Sequence, residues 1–177
     1  MKKILFIGFI AVILIAIPLT IYLVGLQTQT KIKAEKSTNL TFSKLSGPVN
    51  IGQKFNLNIL LDPGNNQVSF VKLILSYDST KLKRGEPGIS PNTSVFPVTL
   101  EGPTYDQCTG TTCTESITLS IGTEVTKAIQ GAGSPVTIAS VNFEALAATE
   151  TDTSISFGNG TQVLSLATSD EPSENVL

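Results

Sequence analysis

Between Phe55 and Tyr77 the chain alternates its apolar residues twice, in two runs separated by a turn. Phe55, Leu57, Ile59 and Leu61 alternate with Asn56, Asn58 and Leu60, and Val71, Leu73, Leu75 and Tyr77 keep the same spacing. A period of two sends one face of an extended strand toward a core and the other away from it. Asp62-Pro63-Gly64-Asn65-Asn66 supplies the turn. Proline holds φ, glycine frees it, and the Asn side chains bond their own backbone. The pair predicts β architecture with one face of each strand buried.

Similar signals recur at Leu40–Leu45, Val95–Leu100, Ser116–Ile121, Val136–Phe143, Ser154–Phe157 and Val163–Leu166. From Leu40 onward no stretch carries a 3.6-residue apolar stripe, and Gly, Pro, Asn and Asp punctuate the gaps. Many short strands at this spacing indicate an all-β sandwich or barrel, and about 140 residues suit a single core. Lys83–Pro103 is the least regular part, with four prolines and three glycines. Proline suits edge strands and loops, so this segment is expected at a ragged edge or one end. The polar, acidic tail Ser169–Asn175 is expected either to close the last turn or to stay open.

Ile4–Leu26 is 23 residues without a charge. As a helix it would be about 35 Å long, enough for a hydrocarbon core of about 30 Å. Lys2 and Lys3 precede it, which orients the N-terminus to the cytoplasm. The expectation is a cytoplasmic stub over 1–3, a single-pass signal anchor over 4–26, a polar stalk over 27–37 and an extracellular domain over 38–177. Secretion after signal cleavage is the alternative.

Residues 37–177 carry seven basic and thirteen acidic side chains, a net charge of −6. That balance argues against nucleic acid as a partner, since such binding rests on neutralising phosphates. Cys108 and Cys113 are the only cysteines. In an exported chain, two cysteines this close are expected to form a disulfide that staples a loop by about 2 kcal/mol. There is no histidine, so neither a metal set nor the commonest general base is available, and no cofactor is expected. No nucleophile motif is present, and the acids Asp78, Glu86, Glu101 and Asp106 read as turn caps and surface groups. The chain reads as a non-enzyme.

The opening Val49-Asn50-Ile51-Gly52-Gln53-Lys54-Phe55 and the strand end Leu75-Ser76-Tyr77-Asp78-Ser79-Thr80-Lys81-Leu82 resemble cohesin domains. Ala139–Phe143, Ile155-Ser156-Phe157 and Val163-Leu164-Ser165 agree, and the likeness covers most of residues 38–166. It implies a jelly-roll or immunoglobulin-like β-sandwich of about nine strands, a fold that cohesins share with several carbohydrate-binding modules. It also implies noncovalent binding of a dockerin-like protein through one sheet face. Tyr77 would then lie in the core and Asp78 would cap a structural turn. On the strand before that turn, family members tend to carry Asn or Asp outward, whereas this sequence has Phe70, Lys72 and Ile74.

If Val71, Leu73 and Leu75 face inward, Phe70 and Ile74 form an apolar outer patch. That patch is either covered by the chain itself or is a protein-contact face. The expected function is a membrane-anchored module for protein–protein interaction or adhesion at the cell surface. The alternatives are a polysaccharide-binding module of the envelope, with Tyr105 as its sugar platform, and a structural subunit of a surface layer or filament. Three glycosylation acceptor patterns begin at Asn39, Asn92 and Asn159.

Overall fold

A computed structural model describes residues 34–106, 114–131, 133–148, 155–169 and 171–177. Among them the regular elements are ten strands: β1 (Asn39–Phe42), β2 (Lys54–Asp62), β3 (Gln67–Asp78), β4 (Leu82–Pro91), β5 (Val98–Asp106), β6 (Thr114–Gly122), β7 (Ile129–Gln130), β8 (Val136–Ala145), β9 (Ile155–Phe157) and β10 (Gln162–Ser165). One sheet has the order β1-β2-β8-β4 and the other β10-β3-β6-β5, with β7 and β9 also paired to β3. Every pairing is antiparallel. The result is an all-β, jelly-roll-like sandwich.

The alternation in β2 and β3 does what its period requires. Leu57, Ile59 and Leu61 from one sheet meet Val71, Leu73 and Leu75 from the other, joined by Ile117, Leu119 and Ile121 of β6 and Val141 and Phe143 of β8. Each fully buried aliphatic side chain of this kind contributes about 1.5–3 kcal/mol. The turn between β2 and β3 uses Gly64 at φ +59, a conformation that residues with a Cβ adopt only at a cost.

The two long sides of the sandwich are closed differently. On one, the ring of Phe42 in β1 stacks on that of Phe157 in β9 at 4.4 Å. The C-terminal segment also spans the gap there. Val176 is 1% exposed, its N–H donates to Val163 O at 2.9 Å, and its carbonyl accepts from Thr38 N at 3.2 Å. The acidic tail therefore closes the structure, because Val176 has an apolar seat to fill. On the other side, β4 and β5 are the edge strands of their sheets.

Three boundaries differ from the sequence-based expectation. Lys83–Pro103 does lie at the edges, but most of it is strand: β4 occupies Leu82–Pro91. Its ladder with β8 breaks between Arg84 and Ile89, where Gly85, Pro87 and Gly88 sit, so alternation is lost while the strand continues. Val95 is not a strand start. The amides of Val95 and Phe96 fold back onto Asn92 O, which drops Phe96 fully into the core. Finally, the compact unit begins at Ala34, within the expected stalk. Buried Asn66 holds that segment: its Oδ1 accepts from Glu35 N at 2.9 Å, and its Nδ2 donates to Glu35 O at 2.6 Å and to Thr38 Oγ1 at 2.9 Å. Among the described residues no helix is long and apolar enough to cross a membrane. The expected span over 4–26 and the pair Cys108 and Cys113 lie outside the described residues.

Candidate protein-docking face

The outer face of the β10-β3-β6-β5 sheet is ordered in levels that cross the strands. Phe70 pairs with Leu164 of β10 on one side and Gly122 of β6 on the other. The side chain of Leu100, on β5, lies over Gly122, where an added Cβ would meet its Cδ1 at 3.2 Å. Leu164, Phe70 and Leu100 thus form an apolar row across four strands, and Leu100 is 62% exposed.

The next level is polar. Lys72 pairs with Gln162 and with Ser120, and Ser120 pairs with Glu101. The Ser120 hydroxyl donates to Glu101 Oε2 at 3.2 Å. Below it, Ile74 pairs with Thr118, which pairs with Thr104. The turn after β9 sits against Ile74: a Cβ on Gly158 would meet its Cγ2 at 3.0 Å and one on Gly160 its Cδ1 at 3.2 Å. The last level runs Ser156, Ser76, Ser116 and Asp106, with the Ser116 hydroxyl donating to Asp106 Oδ2 at 3.1 Å. Phe70, Lys72 and Ile74 therefore all face outward and are half-buried. Leu164 joins Phe70 through strand register, and Leu100 through a side chain that leans over Gly122 from the irregularity between Thr99 and Glu101.

The outer face of the other sheet is different. Its levels are Lys54–Glu144–Lys83, then Asn56–Asn142, then Asn58–Ser140–Ser90. Asn56 Nδ2 donates to Asn142 Oδ1 at 2.8 Å. These levels contain no apolar row.

Tyr105 is not an open platform. Its ring packs against the core, the guanidinium of Arg84 covers one ring face 3.7 Å from the centroid, and its hydroxyl donates to Pro87 O at 3.2 Å. That ring face is unavailable for stacking on a pyranose, because a cation from β4 already occupies it. Tyr105 ties the edge strands of the two sheets together instead.

Tyr77 is 2% exposed, packs edge-on against Phe143 at 4.9 Å, and donates its hydroxyl to Glu115 Oε2 at 2.5 Å. Burial, then the bond to Glu115, pushes the phenol well above the usual tyrosine range. Asp78 caps the following turn: its Oδ1 accepts from Thr80 N at 2.8 Å and Thr80 Oγ1 at 2.6 Å. The hydroxyl bond from Thr80, then the backbone one, holds the carboxyl below its ordinary value. Among the described residues no group of three or more His, Cys, Asp or Glu side chains could hold a metal.

No protein-family model matches the sequence, and no curated protein matches it. Solved structures do. The solution structure of CaCohA2 from Clostridium acetobutylicum superposes with a TM-score of 0.55, at 20% identity over 82% of this chain and 86% of that one. The fold is cohesin-like. The crystal structure of a CaDoc0917 variant in complex with CaCohA2 is similar too, with TM-score 0.50 and 18% identity over 73% of this chain and 87% of that one. A non-cellulosomal cohesin from the archaeon Archaeoglobus fulgidus scores 0.47 at 15% identity, over 76% and 82% of the two chains. Within this cohesin-like domain the Tyr77–Asp78 turn is structural: one residue is a core aromatic and the other a turn cap.

Proposed function

We propose that the chain is a noncatalytic cohesin-like module that holds a protein partner noncovalently on the outer face of the β10-β3-β6-β5 sheet. The observation that carries this reading is the contrast between the two open faces. One bears the apolar row Leu164, Phe70 and Leu100 beside graded polar levels, while the levels Lys54–Glu144–Lys83, Asn56–Asn142 and Asn58–Ser140–Ser90 of the other are charged, amide and hydroxyl. An apolar strip rimmed by polar groups is the surface pattern of protein contacts. The partner class is dockerin-like, by analogy with the structurally similar CaCohA2, which was solved in complex with CaDoc0917.

The module is displayed outside a cell, tethered through residues 4–26. The support is the uncharged run of 23 residues behind Lys2 and Lys3. Cys108 and Cys113 staple the connection between β5 and β6 as a disulfide, supported by their spacing in an exported chain. The test uses the full chain as bait against envelope extracts of its own cells, beside the variants Phe70→Glu and Asn142→Glu. Wild type and Asn142→Glu retain the same protein, and Phe70→Glu loses it. Capture unaffected by Phe70→Glu, or no specific capture by wild type, contradicts the reading.

A further inference from the structure

Three of the four levels on the proposed docking face are complementary to themselves, the third setting Ile74 against Thr104. β6 is the middle strand of β3-β6-β5, so a two-fold axis parallel to the strands and above β6 lays β3 of one copy over β5 of the other. Such an axis keeps each level at its own height. At the first level Phe70 then meets Leu100, apolar against apolar. At the second, Lys72 meets Glu101, opposite charges separated within one copy by Ser120. At the fourth, the Ser76 hydroxyl meets the Asp106 carboxylate, donor against acceptor. Among the described residues the ion pairs are Arg84–Glu86 and Lys127–Glu124, and neither Lys72 nor Glu101 has an ionic partner among them.

We propose, on the reading that this face docks protein, that its occupant in the absence of another partner is a second copy of this chain. The two copies pair β3 over β5 in an isologous interface. Each of the three matches occurs twice by symmetry, and aligned sheets pack within about 30° of each other, as such an axis allows. With about 4.8 Å between strands and about 3.3 Å per residue, three strands present on the order of 350 Å² per copy. That is under half of the ~800 Å² per partner in a standard stable interface. The pairing is therefore weak in dilute solution and is populated when copies share one surface, where tethering raises their effective concentration.

Sedimentation of the full chain in density-matched detergent tests this. Wild type shows a reversible monomer–dimer equilibrium. Lys72→Glu and Glu101→Lys each weaken it by about tenfold, because every opposite-charge contact becomes a repulsion, twice per dimer. An equimolar mixture of the two variants regains wild-type association as a heterodimer. In it the introduced glutamate of one copy faces the introduced lysine of the other, and the remaining native Lys72 faces native Glu101. Loss of folding cannot produce that rescue. A monomeric wild type, or single variants that the mixture does not rescue, overturns the self-pairing. If wild type is monomeric while Phe70→Glu still abolishes capture of another protein, only the self-pairing fails. If the swap rescue is seen and no other protein is captured, the self-pairing stands and the dockerin-like partner does not.

Discussion

The guanidinium of Arg84, on the edge strand of one sheet, lies 3.7 Å above the ring of Tyr105, on the edge strand of the other. Glu86 sits 3.9 Å from the same guanidinium, whose side chain keeps 24% of its exposure. The contact closes the side of the sandwich opposite the Phe42–Phe157 stack, where two bulged, proline-bearing strands leave few regular ladder bonds between Arg84 and Ile89.

A partly desolvated cation–π contact contributes about 1 kcal/mol, and the stem of Arg84 adds packing. Arg84→Ala is therefore expected to destabilise the domain by about 1–2 kcal/mol, lowering Tm by roughly 3–6 °C. Tyr105→Ala is expected to cost at least as much and Tyr105→Phe much less, since only the exposed hydroxyl bond to Pro87 O is lost. Thermal unfolding by circular dichroism measures all three. A Tyr105→Ala variant of unchanged stability would mean that the ring is not a structural tie.

The buried Tyr77 makes the fold sensitive to alkali. Its phenol titrates above the ordinary tyrosine value, so the folded state favours the protonated form. That contribution is complete below about pH 10, the unfolded value, and is lost as pH rises beyond it. Urea midpoints followed from about pH 8 to about pH 11.5 are expected to fall more steeply above about pH 10 for wild type than for Tyr77→Phe. Parallel curves would remove Tyr77 from the alkaline transition.

Asp78 acts at the other end of the scale. Its lowered pKa means that its contribution is present above the ordinary carboxylate value of about 4 and fades as pH falls below it. Asp78→Ala is expected to melt below wild type at about pH 7, with the gap narrowing toward about pH 3. A gap that stays constant with pH would assign the effect to packing.

Asn66 holds the start of the domain through bonds to Glu35 and Thr38, and Thr38 in turn meets the C-terminal segment at Val176. Replacing it removes the amide's bonds to Glu35 N and O, Ser37 Oγ and Thr38 Oγ1, at about 1–3 kcal/mol. Asn66→Ala is expected to raise amide exchange together at Glu35–Thr38 and at Val176. Faster exchange at the first segment alone would uncouple the two.

The pattern of β2, β3, β6 and β8 was legible because each buries one face, and period-two alternation states that directly. β4 was not, because Gly85, Pro87 and Gly88 break the alternation at a bulge whose strand neighbours still hold it in register. Asn66 reads as a turn residue, and nothing local reveals that its amide serves a segment about thirty residues upstream. Phe70, Lys72 and Ile74 were legible as an outward set once the inward set was chosen. Their neighbours on that face were not, since Leu164 meets Phe70 only by cross-strand register and Leu100 reaches Gly122 only from an irregularity in β5. The signal that existed was a leucine at an outward step, Leu164 beside inward Val163, and Leu100 in a proline-rich edge.

The β10-β3-β6-β5 face, and not its opposite, is expected to contact protein. A photoreactive benzoyl-phenylalanine placed at Phe70, or in a separate chain at Asn142, tests it in cells that carry the full protein. Covalent protein adducts, to a second copy or to another partner, are expected from position 70 and none from position 142. Equal labelling from both positions, or adducts from 142 alone, would contradict it.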